Sequence, residues 1–314
     1  MSEQTPLGKR ISGGHVHVTG VAGVGMSALA QVLLAQGCRV SGSDRSRDQG
    51  IDLPILDRLA ALGVDLVPQD GSAVREDTRA LVLSSAIETD NPERLAAQRL
   101  GIPEVLRGRL LAELANPHRV IAVAGTSGKT TTTGMLGFLA EACGWDPTVV
   151  NGGCVLNWRT AQRPGNVRLG GSSLWIVEAD ESDRSLLALT PHWAVITNVS
   201  RDHFDLEQTW TVFADFVRRV KRGIVCSPEV AHELRSRLGG SPLQWIEADP
   251  ASVRDGACAW QGRSYEVPVP GSHNAANARM ALAAVGALGG EPAEHALAEF
   301  GGIERRLQRV GGAG

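Results

Sequence analysis

Short apolar runs alternate with helix-like stretches along most of the chain, and that alternation predicts an α/β fold. His15-Val16-His17-Val18-Thr19 reads as a strand, and Gly20-Val21-Ala22-Gly23-Val24-Gly25 follows it directly. Met26 to Gln36 has helical composition, Gly37 stops it, and Cys38 to Asp44 supplies a second strand with its exit turn. Leu56 to Leu62 reads as helical, Ala80 to Ser84 as a buried strand, and Pro92 to Leu100 as a helix opened by proline. The expectation for residues 1–117 is a parallel, doubly wound, Rossmann-like domain.

Asn116-Pro117-His118 punctuates the pattern, and a second βα unit begins beyond it. Arg119 to Ala124 is its strand, a glycine-containing turn follows, and a helix runs to about Cys143. Asn151 to Ser173, rich in Gly, Asn and Arg, reads as a loop-dominated insertion. Buried strands return at Leu174 to Val177 and at Trp193 to Thr197, each ending in polar residues. In an open parallel sheet those polar residues lie at the carboxyl ends of strands, where ligands bind. Pro228 to Pro270 is mixed, and Ala275 to Leu288 is an Ala-rich helix; a central domain is expected over residues 118–301.

Composition narrows the class. The chain has 314 residues, more than one core usually organises, so two domains are expected. Its net charge of -3 argues against a basic, nucleic-acid-coating surface. Neither a signal peptide nor a membrane-spanning apolar run is present, which makes the cytoplasm the default location. Cys38, Cys143, Cys154, Cys226 and Cys258 are widely separated, so free thiols are expected.

The chemistry concentrates at Gly125-Thr126-Ser127-Gly128-Lys129-Thr130. A glycine-rich turn between a buried strand and a helix aims backbone N–H groups at phosphate oxygens, and the helix dipole adds positive potential. Lys129 can neutralise charge on β and γ phosphates, and the Thr130 hydroxyl is positioned to hold magnesium. The spacing departs from the full Walker pattern, since Val123 stands where its first glycine belongs. Glu178-Ala179-Asp180-Glu181-Ser182-Asp183 follows a buried strand, and reads either as a solvated acidic turn or as a source of magnesium ligands. Thr197 to Asp205 gathers polar groups at the next strand exit; His203 there fits a structural histidine or, beside the phosphate loop, a ligand. Gly20, Gly23 and Gly25 suit either an NAD site or another diphosphate.

Taken in order, Gly125 to Thr131, Glu178 to Asp183, Asn198 with Asp202-His203, and Gly271-Ser272-His273-Asn274-Ala275-Ala276-Asn277 resemble the successive signatures of the Mur ligases. Those are ATP-dependent amino-acid ligases of peptidoglycan precursor synthesis. His17 to Ser27 with Ser41-Gly42-Ser43-Asp44 is similar to the first domain of the alanine-adding and murein-peptide-adding branch.

The resemblance implies ATP and Mg2+ as cofactors. It implies a UDP-sugar, UDP-N-acetylmuramate or a relative, as one substrate and an amino acid as the other. Lys129, Glu178 and His203 would be catalytic, with Thr130, Glu178 and His203 around metal. Gly125, Thr126, Ser127, Gly128, Lys129, Thr130 and Thr131 would hold phosphates, Asn274 and Asn277 the adenine side, and Arg305 or Arg306 a domain junction. Gly20, Gly23, Gly25, Met26, Ser27 and Asp44 would receive the UDP-sugar. Ser127 replaces the histidine usual in the alanine-adding branch, and no lysine near Phe213 to Val217 matches the carbamylated lysine of other branches. Residues 302–314 would be a linker stub to a third domain absent from this chain, which another chain would have to supply for full turnover.

Overall fold

Val16, His17 and Val18 are all fully buried, as is the run Ala80-Leu81-Val82. Strands covered on both faces belong in a parallel sheet flanked by helices. The computed structural model describes residues 7–201, 205–249 and 253–304 and divides into two units. The first contains α1 (Leu7–Ile11), β1 (His15–Thr19), α2 (Val24–Ala35), β2 (Arg39–Ser43), α3 (Arg45–Asp48) and α4 (Pro54–Ala61). It continues with β3 (Asp65–Val67), β4 (Thr78–Leu83), α5 (Pro92–Leu100), β5 (Glu104–Leu106) and α6 (Arg107–Ala115). Strand order is β3-β2-β1-β4-β5 and every pairing is parallel, so the order reverses at β1.

Local chemistry sets the element ends. The α5 helix has the predicted bounds because the Asn91 side chain accepts from Glu93 N at 2.9 Å, Pro92 pre-sets the first turn, and Gly101 leaves it at φ 67°. Behind the sheet lies a polar chain that no periodicity announces. His15 Nδ1 meets Thr78 Oγ1 at 3.0 Å, and the Ser41 hydroxyl lies 2.7 Å from both His15 Nε2 and His17 Nδ1. His17 Nε2 then contacts Glu93 Oε1 at 2.7 Å, and Thr19 Oγ1 donates to Glu93 Oε2 at 2.5 Å. Both His17 and Glu93 are fully buried, and these bonds are what make that burial tolerable.

The second unit opens with β6 (Arg119–Ala124), α7 (Lys129–Ala142) and β7 (Thr148–Val150). The predicted loop-dominated insertion then divides. Its segment Trp158–Leu169, carrying β8 (Val167–Arg168), groups with the first unit. There the Asn166 carboxamide donates to Val24 O at 2.9 Å and Ser27 Oγ at 3.0 Å, and accepts from Gln31 Nε2 at 2.9 Å. Sequence separation hides that connection, since the partners lie about 140 residues apart.

The chain returns to the second unit with β9 (Leu174–Glu178), β10 (Trp193–Ile196), α8 (Leu206–Val217), β11 (Gly223–Cys226), α9 (Pro228–Leu238) and β12 (Gln244–Glu247). Six of its strands run in the order β12-β11-β10-β6-β9-β7, again in parallel. An antiparallel sheet of β13 (Val253–Arg254), β14 (Ala257–Trp260) and β15 (Arg263–Glu266) follows, then α10 (Ser272–Ala287). The Ala-rich helix thus starts three residues before its predicted Ala275, so the Ser272-His273-Asn274 motif is its first turn. Small buried residues Ala275, Ala278 and Ala281 let α10 pack closely on α7. Among the described residues no helix is long and apolar enough to cross a membrane.

Candidate functional site

In the second unit β6 lies between β9 and β10, so the segments leaving Ala124, Glu178 and Ile196 meet at the carboxyl end of the parallel strands. That is the switch point at which open α/β sheets take ligands. Gly125 leaves β6 at φ 138° and Gly128 precedes α7 at φ 80°, a left-handed conformation that L side chains rarely adopt. A Cβ on Gly125 would collide with Thr197 and Asn198, and one on Gly128 would stand 2.5 Å from Asn277 Oδ1.

The turn is clasped from the side. Asn198 Oδ1 accepts from Thr126 Oγ1 at 2.6 Å and from Ser127 N at 3.0 Å, while Asn198 Nδ2 donates to Ser127 O at 2.9 Å. Thr197 Oγ1 donates to the same carbonyl at 2.6 Å, and Ser200 Oγ lies 2.8 Å from Thr126 Oγ1. Asn198 was legible only as a motif letter; its work is to hold the loop's shape. Gly128, as the residue before α7, offers no side-chain cap, which leaves first-turn amides for an external acceptor.

Lys129 Nζ donates to Gly125 O at 2.8 Å and pairs with both oxygens of Glu181, at 3.0 and 2.8 Å. Thr130 Oγ1 donates to Glu178 Oε1 at 3.0 Å, and Gly152 N donates to Glu178 Oε2 at 2.6 Å. A Cβ on Gly152 would lie 2.6 Å from both Glu178 oxygens, so a glycine is required for that approach. Thr126, Thr130 and Thr131 are buried, as are Asn274 and Asn277. Asn274 Nδ2 donates to Pro270 O at 2.7 Å, and Asn277 Nδ2 reaches Asn274 Oδ1 at 3.4 Å. His203, Arg305 and Arg306 lie outside the described residues.

Asn151, at the carboxyl end of β7 and one residue before Gly152, was missed in the sequence. It is 2% exposed, yet neither carboxamide atom has a hydrogen-bond partner among the described residues. Leaving such a group unpaired costs about 1–3 kcal/mol, so the position suits a polar ligand group.

In the first unit Gly20 turns at φ 71°, Val21 N donates to Ser43 O at 2.9 Å, and Ala22 N donates to Asp44 Oδ2 at 3.0 Å. Asp44 Oδ1 also caps α3 through Ser46 N at 3.0 Å. Gly23 precedes α2 without a side-chain cap. Met26 and Ser27 are buried, with the Ser27 hydroxyl donating to Val24 O at 2.9 Å; their side chains face the fold. Arg107 lies over Gly25, where a Cβ would stand 2.9 Å from its Cδ and Nη1. That guanidinium, at the exit of β5, had no signal in the sequence beyond its charge.

These donors suit a polyphosphate with magnesium. Oxygen ligands from Thr130 and Glu178 match a hard cation that takes its remaining ligands from phosphate and water. Among the described residues no trio of His, Cys, Asp or Glu is grouped to hold a metal. Fold and site together define a phosphate-loop nucleotide-binding protein joined to a Rossmann-like unit.

Comparison with known proteins specifies the class. Residues 15–119 match the description "Mur ligase family, catalytic domain", and residues 123–217 match "Mur ligase middle domain". The chain is 38% identical over 322 residues to UDP-N-acetylmuramate--L-alanine ligase of Burkholderia cenocepacia (strain HI2424), covering 95% of this chain and 67% of that one. Among solved structures, the UDP-N-acetylmuramate-alanine ligase of Thermotoga maritima superposes with a TM-score of 0.78 at 26% identity, over 94% of this chain and 70% of that one. The UDP-N-acetylmuramate:L-alanyl-gamma-D-glutamyl-meso-diaminopimelate ligase from Neisseria meningitides gives 0.79 at 26% identity, over 93% and 99%. The chain belongs to the Mur ligase family.

Proposed function

We propose that this chain carries the nucleotide and UDP-sugar sites of an ATP-dependent ligase that joins L-alanine to the carboxylate of UDP-N-acetylmuramate, in the cytoplasm. The carrying observation is the constellation of Lys129, Thr130, Glu178 and the Asn198-clasped turn at the carboxyl ends of β6, β9 and β10. The 38% identity to L-alanine ligases supports L-alanine as the amine, and the assay below separates it from the peptide, since the two solved relatives of either kind are equally similar at 26%.

In this reading Thr126 N and Ser127 N stay bound to Asn198, the amides of residues 128–130 at the start of α7 cradle the polyphosphate, and Lys129 balances its charge. Thr130 and Glu178 hold magnesium, and His203 would serve a second ion. Magnesium would supply charge neutralisation at the transferred phosphoryl group. The Asn151 carboxamide would contact a ligand group near Glu178 and so gain its missing partners. Asn274 and Asn277 would border the nucleoside, and Arg305 or Arg306 the exit from the central unit. On the first unit, amides following Gly20, Gly23 and Gly25 would take the diphosphate and Asp44 the nucleoside end, with Arg107 adding charge. The carboxylate attacks the γ-phosphorus, ADP leaves, and alanine's amine displaces phosphate from the resulting acyl phosphate.

The test is ADP release and amide formation by this chain with ATP, Mg2+, UDP-N-acetylmuramate and either L-alanine or the tripeptide. Alanine-dependent ADP release lost in Lys129→Ala is expected. Tripeptide-only turnover would replace the alanine assignment. Undiminished turnover in Lys129→Ala would remove the phosphate-loop mechanism.

A further inference from the structure

An ammonium has three N–H donors, and in this structure the contacts of Lys129 account for all of them. One goes to Gly125 O at 2.8 Å, and the others face Glu181 Oε1 and Oε2 at 3.0 and 2.8 Å. Lys129 therefore cannot engage a phosphate at full strength without giving up a protein partner. Gly125 O belongs to the turn's backbone and cannot move away without reshaping the loop, whereas Glu181 offers a side chain, so the exchangeable partner is Glu181.

Glu181 is built to wait there. It is 3% exposed, on a turn in which Arg184 N donates to Glu181 O at 3.1 Å and Ala179 N ties the segment to Val123 O at 2.8 Å. Asp180 Oδ1 accepts from Ser182 N at 3.0 Å and from Ser182 Oγ at 2.8 Å. Arg184 leaves the turn at φ 57°, in the left-handed region. A carboxylate presenting two oxygens to the lysine in this way has the charge and spacing of two phosphate oxygens.

We propose that Glu181 is a resident stand-in for the terminal phosphates: it holds Lys129 over the loop when nucleotide is absent, and yields it when a polyphosphate arrives. The inference rests on the nucleotide-binding reading of the loop and adds a positioning residue to it. Its consequence differs between ligands. Only a ligand whose β and γ oxygens reach Lys129 competes with Glu181, so AMP leaves the pair intact whereas a triphosphate breaks it. The pair therefore lowers triphosphate affinity and prevents a bare loop from holding stray anions through an unpaired lysine.

The experiment titrates wild type, Glu181→Gln and Glu181→Asp with the magnesium complex of adenylyl imidodiphosphate and, separately, with AMP, by calorimetry. Glutamine keeps the size and removes the competing charge, so triphosphate binding should tighten roughly 5- to 20-fold while AMP binding stays within about twofold. Aspartate, one methylene short, should tighten it by roughly 2- to 5-fold, and provides the reading if the glutamine variant does not fold. Unchanged or weaker triphosphate binding in a folded variant, or equal tightening for AMP, would overturn the proposal. Wild type that binds no triphosphate would overturn the nucleotide reading as well; wild type that binds while neither variant gains would overturn the stand-in role alone.

Discussion

Replacing Asn198 with alanine tests whether the loop's shape is imposed from its side. The substitution removes four hydrogen bonds: Thr126 Oγ1 and Ser127 N to Oδ1, Nδ2 to Ser127 O, and a long one of 3.5 Å from Nδ2 to Thr197 Oγ1. Two of the stranded groups keep other partners, since Ser200 Oγ stays 2.8 Å from Thr126 Oγ1 and Thr197 Oγ1 still donates to Ser127 O at 2.6 Å. The backbone bond from Thr126 N to Asn198 O, 3.1 Å, also survives. Only Ser127 N–H is left for solvent. At about 1 kcal/mol per net hydrogen bond, discounted for these back-ups, stability should fall by about 1–2 kcal/mol. The turn loses the clasp that fixes the backbone leading into α7, so Mg-ADP affinity should fall by roughly 5- to 30-fold, the same free energy expressed at the ligand. Urea denaturation with and without Mg-ADP, together with calorimetric titration, measures both. Affinity within twofold of wild type would show that the loop holds its shape without Asn198, and the clasp argument would be wrong.

Other outcomes follow from the same geometry. Gly128→Ala places a Cβ at φ 80° and 2.5 Å from Asn277 Oδ1, so it should cost about 1–3 kcal/mol and at least roughly tenfold in nucleotide affinity, read by thermal melting and titration. In Glu178→Gln the carboxylate facing Thr130 becomes neutral, and the magnesium concentration needed for half-maximal nucleotide binding should rise by roughly tenfold or more; an unchanged magnesium dependence would exclude Glu178 as a ligand. Burial alone would push the Glu93 carboxyl up, but hydrogen bonding and charge from His17, with the Thr19 and Ser43 hydroxyls, outweigh it and hold the group below its ordinary range. Its folded value is the lower one, so its contribution is complete above the unfolded value of about 4.3 and is lost as pH falls through the folded value. Glu93→Gln should therefore flatten the acid limb of the stability profile below about pH 4, and an unchanged limb in urea titrations at pH 3 to 5 would contradict this. Burial pushes the Cys226 thiol up to about 12 and the Cys258 thiol up to about 11, while Cys143 and Cys154 are part-exposed; a disulfide reagent should label the latter pair in native protein and the buried thiols only after denaturation.

Much of this molecule is written locally. Pro92 and Asn91 start α5 and Gly101 ends it, the apolar run from Val120 to Ala124 requires a buried strand, and the glycines of residues 125–128 require a turn with positive φ. Such features depend on neighbours a few residues away, through capping, periodicity and backbone sterics, so the α/β class and the phosphate loop could be read without coordinates. The segment 151–173 shows where reading stops: its composition says loop, but Asn166 is decided by partners near residue 27 that no local rule connects to it.

The pairing of side chains is what the tertiary structure alone decided. Strand order sets β6 between β9 and β10, and only then do Lys129 and Glu181, Thr130 and Glu178, and Thr126 and Asn198 come within bonding distance across 48 to 72 positions of sequence. The same holds for His17 and Glu93, 76 positions apart, whose joint burial turns two costly groups into one satisfied pair. Periodicity fixes which face of an element is apolar; it is blind to which element that face will meet, and charge pairing in a dry interior depends wholly on that meeting.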